Sequence, residues 1–306
     1  MAGKFVLGTR GSQLARTQAR LVEKAIQHVE AGLAIETKII ATSGDDAKLV
    51  DPRAGRKGLF TAEIERALLA GEVNVAVHSA KDLPSETNPG VQIAAVLPRA
   101  SLNDVFVSKH AGGLASLPRS ATVATGSIRR MRQLHWKRPD LNVVDLRGNV
   151  PTRLRKLATN QWDAIVLAHA GLERLGFSPT SNDLSFDGGH FFLEILPCET
   201  FLPAGGQCII ALQTRADDHS TKAMLDSIND RETLLCLEAE REFLRQLHAD
   251  CNFPVGVLAN IHNGKMNIRA HVFLAESPAP KEAEVEGGCE EGTALAKELL
   301  RQIERE

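Results

Sequence analysis

The sequence predicts an α/β protein with two α/β lobes around a cleft and a smaller α+β C-terminal domain with an antiparallel sheet. Apolar strands alternate with amphipathic helices through the first two thirds of the chain, which is typical of largely parallel sheets with right-handed crossovers. In the last third, Asn263-Gly264 separates two strand-like runs and is the best hairpin signal in the chain. A length of 306 residues is sufficient for two or three separate cores.

We place the first lobe at residues 1–99 plus about 199–217, because the Gly-rich segment 202–214 leads into a buried strand that can return to the first sheet. Residues 42–58 are predicted to form a polar loop within this lobe. A loop of this length inside a compact domain is usually mobile or functional. The remaining elements predicted for this lobe are a strand at 4–8, a helix capped by Ser12 to about Glu30, a strand at 33–41, a helix capped by Thr61 to about Ala70, and strands at 73–77 and 91–97.

The second lobe is predicted at residues 103–196 and repeats a pattern of strand, polar turn and helix. The turn 125–127 opens a helix, and free N–H groups at a helix N-terminus suit an anion. Residues 220–306 form the third domain. The predicted elements are strands at 104–108, 121–125, 141–146 and 163–168 with helices after the last three, then a linker at 217–220, a helix at 231–247, strands at 255–261 and 265–274, and a helix at 292–306.

Composition indicates an ordinary globular chain, with 43% hydrophobic residues and a net charge of −2. No apolar run is long enough for a membrane span or a signal peptide, so we expect a cytoplasmic protein without a membrane partner. The odd number of scattered cysteines, with no C-x-x-C pair, argues against a disulfide framework or a structural zinc site. They are Cys198, Cys208, Cys236, Cys251 and Cys289. No long exposed apolar face is predicted, so we expect a monomer.

The charge is unevenly distributed along the chain. Residues 119–156 contain eight Arg and two Lys against two Asp, whereas residues 276–306 contain nine Glu against four basic residues. Arg presents a planar fork that matches a carboxylate or phosphate, so the first segment indicates a specific polyanion. With a pI near 6.6, 4% aromatic residues and no tyrosine, the sequence gives little support to nucleic-acid binding.

The stretch VAVHSAKDLP (75–84) supplies a candidate catalytic residue. A strand with one buried face ends here in polar, ionisable residues, and such groups at strand ends in α/β proteins commonly face a ligand cleft. Asp82 is therefore a candidate acid/base and electrostatic centre. The alternative, from the local sequence alone, is a turn residue that hydrogen-bonds its own backbone ahead of Pro84.

Seven motifs together resemble the hydroxymethylbilane synthase, or porphobilinogen deaminase, family in order and spacing. They are TRGSQLA (9–15), GRKGLFT (55–61), HSAKDLP (78–84), TGSIRR (125–130), LRGNVPTRLRKL (146–157), AGLERLG (170–176) and DCNFPVG (250–256). The resemblance implies three domains, the first two being periplasmic-binding-protein-like lobes. It also implies that four porphobilinogen molecules are joined head to tail with loss of ammonia on a covalent dipyrromethane cofactor, and that the linear product is released by water.

The resemblance also implies roles for individual residues. Cys251 matches the cofactor-attachment cysteine, although a lone cysteine is more often a small buried hydrophobe. Asp82 matches the catalytic aspartate. Phe60 matches an aromatic residue near the pyrrole rings, but its spacing also suits a core position. Residues matching carboxylate-binding or other polar contacts are Arg10, Ser12, Lys57, Lys81, Thr125, Ser127, Arg129, Arg130, Arg147, Arg153 and Arg174.

Three departures from the family pattern concern backbone geometry. Ala249-Asp250 replaces a Gly pair, Cys208 replaces the last Gly of Gly-Gln-Gly, and Ala124 replaces a Gly before a helix. None removes a reacting group, but an inactive relative is one alternative. Another is a two-lobed small-anion-binding protein without catalysis, which would give Cys251 no role.

Overall fold

A computed structural model describes residues 4–43, 59–177, 182–249, 253–275 and 277–306. The strands are β1 (Phe5–Thr9), β2 (Ile35–Ile39), β3 (Val75–Ser79), β4 (Val91–Val96), β5 (Asp104–Ser108), β6 (Thr122–Ala124), β7 (Asn142–Val144), β8 (Ala164–Ala168), β9 (Asp183–Phe186), β10 (Gly189–Leu196), β11 (Ile210–Arg215), β12 (Val255–His262), β13 (Lys265–Val272) and β14 (Lys281–Gly288). The helices are α1 (Gln13–Val29), α2 (Ala62–Leu69), α3 (Ile128–Lys137), α4 (Val150–Thr159), α5 (His169–Arg174), α6 (His219–Asp226), α7 (Arg231–Gln246) and α8 (Gly292–Arg305).

The first sheet has the strand order β2-β1-β3-β11-β4. β1 pairs in parallel with β2 and β3, whereas β11 is antiparallel to both β3 and β4. Val75 and Val77 of β3 are buried with Val22 and Ile26 of α1 in one core cluster. The side chain of Ser12 caps α1 by accepting a hydrogen bond from the Ala15 backbone N–H at 3.2 Å.

The second sheet has the order β7-β6-β8-β5-β10-β9. The parallel strands β7, β6 and β8 are each followed by a helix, as the sequence pattern predicts. The other part of the sheet is antiparallel and includes the β9–β10 hairpin, which the sequence analysis missed. The helices that follow β6 and β7 begin at polar caps, because Ser127 accepts from the Arg130 N–H and Asn149 accepts from the Thr152 N–H.

The third sheet is antiparallel, with the order β12-β13-β14. Asn263 and Gly264 both have positive φ (51° and 74°), as a two-residue hairpin turn requires. α7 and α8 cover the sheet, burying Phe243 and Leu299 with Ile268. β14 was not predicted, nor was α6, which begins within the segment 217–220 that was expected to be a linker. These sheets confirm the predicted fold class.

Among the described residues, no helix is both long and apolar enough to cross a membrane.

Candidate active site

Asp82 lies in a short 3-10 turn, Ala80–Asp82, directly after β3. The segment that leads into β11 supports this turn, since the Ala80 N–H donates to the Ile209 carbonyl at 3.0 Å. Gly206, with φ +69°, packs closely against the same turn. A Cβ at this glycine would lie 3.0 Å from the carbonyl carbon of Ala80 and from the backbone nitrogen of Lys81. The return strand therefore fixes the backbone that carries Asp82.

Arg10 and Phe60 lie beside the Asp82 carboxylate. Arg10 follows β1, the neighbour of β3, and its Nη1 is 3.9 Å from Asp82 Oδ2. Its guanidinium carbon also lies 4.1 Å from the centre of the Phe60 ring. Both partners of the ion pair are partly exposed, so the carboxylate remains accessible for a ligand.

A cavity of about 450 Å³ opens on the other face of this cluster. Asp82 is one of its lining residues, and four predicted basic residues also line it: Lys81, Arg129, Arg130 and Arg153. Phe60 and Ser127 line it as well, so the structure brings together half of the predicted site. Sequence reasoning did not assign five other polar lining residues to the site: Ser85, Glu86, Gln207, Arg245 and His248. Gln207 lies within the Gly-Gln-Gly pattern noted in the sequence, and that pattern could have identified it.

Arg129 and Arg130 are buried and share one counterion, Asp104. Asp104 Oδ2 is 2.8 Å from Arg129 Nη2, and Asp104 Oδ1 is 2.6 Å from Arg130 Nη2. Burial alone would raise the pKa of Asp104, but the two adjacent guanidinium charges outweigh it and lower the pKa. Arg129 Nη1 also donates to the Leu202 carbonyl at 2.5 Å, and Arg130 Nη1 donates to the Val166 carbonyl at 2.9 Å. Arg129 therefore links α3 to the segment that leads into β11, whereas Arg130 is held by residues of the second sheet.

Lys81 is exposed to the cavity yet surrounded by the molecule. Desolvation lowers its pKa, and the nearby Arg130 charge lowers it further, against the opposing effect of Asp82.

The other predicted residues lie farther from the cavity or outside the described structure. Thr125 is buried and accepts from the Ser127 N–H at 3.2 Å, so its hydroxyl supports the helix start. Arg147 is exposed and its Nε contacts Asp145 Oδ2 at 2.9 Å. Arg174 Nη2 donates to the Cys208 carbonyl at 2.7 Å. Thr125, Arg147 and Arg174 line neither cavity. Lys57 and Cys251 lie outside the described residues.

A second, smaller cavity of about 100 Å³ adjoins Asp82. Arg10 and Ser12 line it, as do Gln18 and Ser79, whose side chains hydrogen-bond at 2.9 Å. The sequence analysis did not assign Gln18 or Ser79 to the site, although Ser79 lies within the motif that contains Asp82.

Two of the three departures from the family pattern are accommodated within buried structure. Ala124 is buried at the end of β6, and Ala249 is also buried. Cys208 has φ +71°, a left-handed conformation that favours glycine, and it is buried against the Lys81 turn. Cys208 therefore adopts a strained backbone conformation close to the site. Asp250 lies outside the described residues.

The fold and site define a two-lobed α/β protein in which Asp82 lines a cleft rich in basic side chains. Residues 5–223 match the family model described as "Porphobilinogen deaminase, dipyromethane cofactor binding domain", and residues 234–305 match "Porphobilinogen deaminase, C-terminal domain". The chain belongs to the porphobilinogen deaminase family.

Curated relatives span nearly the whole chain. A protein of Syntrophomonas wolfei named porphobilinogen deaminase is 42% identical, covering 97% of this chain and 95% of the relative. A Roseiflexus protein of the same name is 40% identical, and the alignment covers 99% of this chain and 97% of the relative. Among solved structures, a YaeC-family lipoprotein from Enterococcus faecalis aligns with a TM-score of 0.42 and 14% identity, covering 81% of this chain and 97% of that one.

Proposed function

We propose that this protein is a hydroxymethylbilane synthase, which joins four porphobilinogen molecules head to tail with loss of ammonia and releases the linear product by hydrolysis. The observation that carries the proposal is the position of Asp82, a carboxylate that lines the same cavity as Lys81, Arg129, Arg130 and Arg153. Family membership gives this geometry its substrate, a pyrrole with two carboxylate arms. Family membership does not favour the alternative, a two-lobed binding protein without catalysis.

The residues around the large cavity fit a dipyrromethane cofactor. Ala249 and Phe253 line the cavity, and the segment between them contains Cys251, the proposed attachment residue. A group with several carboxylates needs paired cations in such a site, and Lys81 and Arg153 line its walls. When bound, the cofactor supplies the pyrrole ring on which the product chain is built.

Asp82 has the electrostatic role in this proposal. Its carboxylate accepts hydrogen bonds from pyrrole N–H groups and stabilises the positive charge that develops when ammonia leaves. Arg10 and Arg153 hold the carboxylate arms, while Arg129 and Arg130, which are buried and paired with Asp104, add positive potential at the cavity wall. Arg147 and Arg174 keep their proposed role as carboxylate-binding residues. Ser12, Lys57, Thr125 and Ser127 keep theirs as further polar contacts.

We further propose that the three sheets correspond to three domains with the boundaries given above, and that the protein is a cytoplasmic monomer without a nucleic-acid partner. The return of β11 to the first sheet supports the assignment of residues 199–217 to the first domain.

Intact-mass measurement of the purified protein tests the proposal. We expect a covalent adduct with the mass of two linked pyrrole units, and Cys251→Ser should lack it. Cys236→Ser is the matched control, because that buried thiol lies in the core under the third sheet and should leave the adduct in place. An unmodified mass in a folded, otherwise intact protein would contradict the proposal.

A further inference from the structure

The small cavity beside Asp82 shares a wall with the large one. Phe60, Lys81 and Asp82 line both cavities, so a molecule in the smaller space can approach the carboxylate without occupying the cleft. Its volume of about 100 Å³ corresponds to roughly three water molecules at the ~30 Å³ that each occupies in the liquid.

Two buried polar atoms of this cavity's lining lack a hydrogen-bond partner within the described part of the chain. His78 is 4% exposed and its Nε2 has no partner, and Thr61 is 1% exposed with an unpaired Oγ1. Thr61 immediately precedes α2, yet its hydroxyl does not cap that helix. Buried polar atoms in native proteins are nearly always satisfied, and ordered water commonly fills this role in a polar cavity.

His78 is held in the neutral form. Burial lowers its pKa to about 4 against the opposing effect of a hydrogen bond with the Gln213 side chain, and the Arg10 charge adds a smaller lowering. A neutral imidazole can accept a hydrogen bond at one ring nitrogen, which a cationic one cannot. The cavity therefore offers an acceptor and a hydroxyl for a water molecule, next to the Asp82 carboxylate.

We propose that His78 and Thr61 bind the water molecule that hydrolyses the finished product from the enzyme, a role that rests on the proposed function. In this step the water oxygen forms a C–O bond with the terminal methylene carbon of the product, and the C–C bond from that carbon to the primer ring breaks. The ring carbon keeps the electron pair and takes up a proton, so that the elements of one water are divided between the two fragments. No oxidant or reductant is required.

Thr61→Val tests the assignment, because it removes the hydroxyl and keeps the shape. Chain elongation consumes no water, so release should slow roughly three- to tenfold while elongation is unchanged, the range expected for one lost hydrogen bond. Intact-mass spectra after addition of porphobilinogen should then show the protein carrying the longest chain as the dominant species. Thr214→Val is the matched control, since Thr214 is a buried threonine that does not line the cavity and whose hydroxyl has no hydrogen-bond partner among the described residues.

A high-resolution crystal structure gives a second measurement that does not depend on turnover. We expect a water oxygen within about 3.2 Å of both His78 Nε2 and Thr61 Oγ1, and its loss or displacement in Thr61→Val. His78→Leu should also accumulate the longest chain, which keeps the test decisive if Thr61→Val folds poorly. Equal release from Thr61→Val and Thr214→Val, or a cavity without water, would overturn the inference. A protein that carries no primer at all would instead contradict the proposed function.

Discussion

The Asp82 carboxylate is the residue on which the proposed chemistry depends. Asp82→Asn keeps the size of the side chain but removes the negative charge that opposes the developing cation. We expect turnover to fall by roughly a hundredfold or more, by analogy with the loss of one electrostatic contact in other enzymes. Steady-state assays of product formation, with far-UV circular dichroism to check the fold, would measure this.

Asp140→Asn serves as the control for Asp82→Asn. Asp140 pairs with Arg138 at 2.7 Å on the surface and lines neither cavity, so its charge can be removed without an effect on turnover. Normal activity of Asp82→Asn would remove this carboxylate from the mechanism.

Substitution of two arginines of α4 allows the effect of a cavity contact to be distinguished from that of a surface charge. Arg153 of α4 lines the large cavity, whereas Arg155 of the same helix is exposed and pairs with Asp187 at 2.8 Å. Because charge-assisted hydrogen bonds are worth about 1.5–3 kcal/mol, Arg153→Leu should raise KM by roughly tenfold or more. Arg155→Leu should leave KM within about twofold, as expected for an exposed ion pair. Equal KM values in both variants would contradict the assignment of Arg153.

At the scale of elements, the turn that carries Asp82 depends on its contact with the start of the return strand. In Gly206→Ala the new Cβ would lie 3.0 Å from two backbone atoms of Ala80 and Lys81, in addition to the cost of the left-handed φ. We expect a loss of about 2–3 kcal/mol in the free energy of unfolding and a lower kcat, because the turn must shift.

Gly176→Ala isolates the conformational cost in this comparison. Gly176 has φ +83°, and no atom of the described residues lies within 4 Å of an added Cβ, so we expect only the left-handed strain of about 1 kcal/mol. Urea unfolding of both variants, with kcat measured in parallel, checks the difference. If Gly206→Ala is no worse than Gly176→Ala and retains full kcat, the close approach does not position Asp82.

The elements that the sequence did not predict have identifiable physical reasons. β14 alternates charged residues around a single buried Val285, and it is held by polar cross-strand contacts such as Lys265 Nζ to Glu286 Oε1 at 2.8 Å. Such a strand has no apolar period to detect. The β9–β10 hairpin turns at Asp187-Gly188, which both have positive φ. This dipeptide is the same type of signal as Asn263-Gly264 and could have been recognised.

At the scale of the whole molecule, sequence reasoning could predict which residues approach the cleft but not how their charges are distributed. The family resemblance of TGSIRR (125–130) assigned Arg129 and Arg130 to the site. Their shared counterion, Asp104, begins a strand and carries no motif, so the buried ion pairs became visible only in three dimensions. Cavities formed between distant elements, such as the one that contains His78 and Thr61, cannot be predicted from spacing.

The second lobe and the third sheet meet at a buried histidine. His271 of β13 is 6% exposed and contacts Trp136 of α3 edge to face, with ring centroids 5.5 Å apart. Burial lowers its pKa to about 4, and the Lys137 and Arg269 charges lower it further. Glu282 Oε2 lies 3.8 Å from its Nε2 and is the acidic group that faces it.

This histidine should make the stability of the whole molecule depend on pH. Its pKa is lower in the folded state than the unfolded value of about 6.5, so the unfolded chain binds the additional proton as the pH falls. The contribution of neutral His271 to the free energy of unfolding is therefore complete above about pH 6.5 and is lost as the pH falls from there to about 4. At pH 5 the loss amounts to about 2 kcal/mol. The Gln side chain in His271→Gln cannot titrate. The free energy of unfolding of this variant should therefore fall less between pH 7 and pH 5 than that of the unsubstituted protein, by about that amount. Urea unfolding at pH 5, 7 and 8 measures it, with no difference in slope expected between pH 7 and 8. An identical decline in both proteins would show that His271 is protonated without cost at this contact.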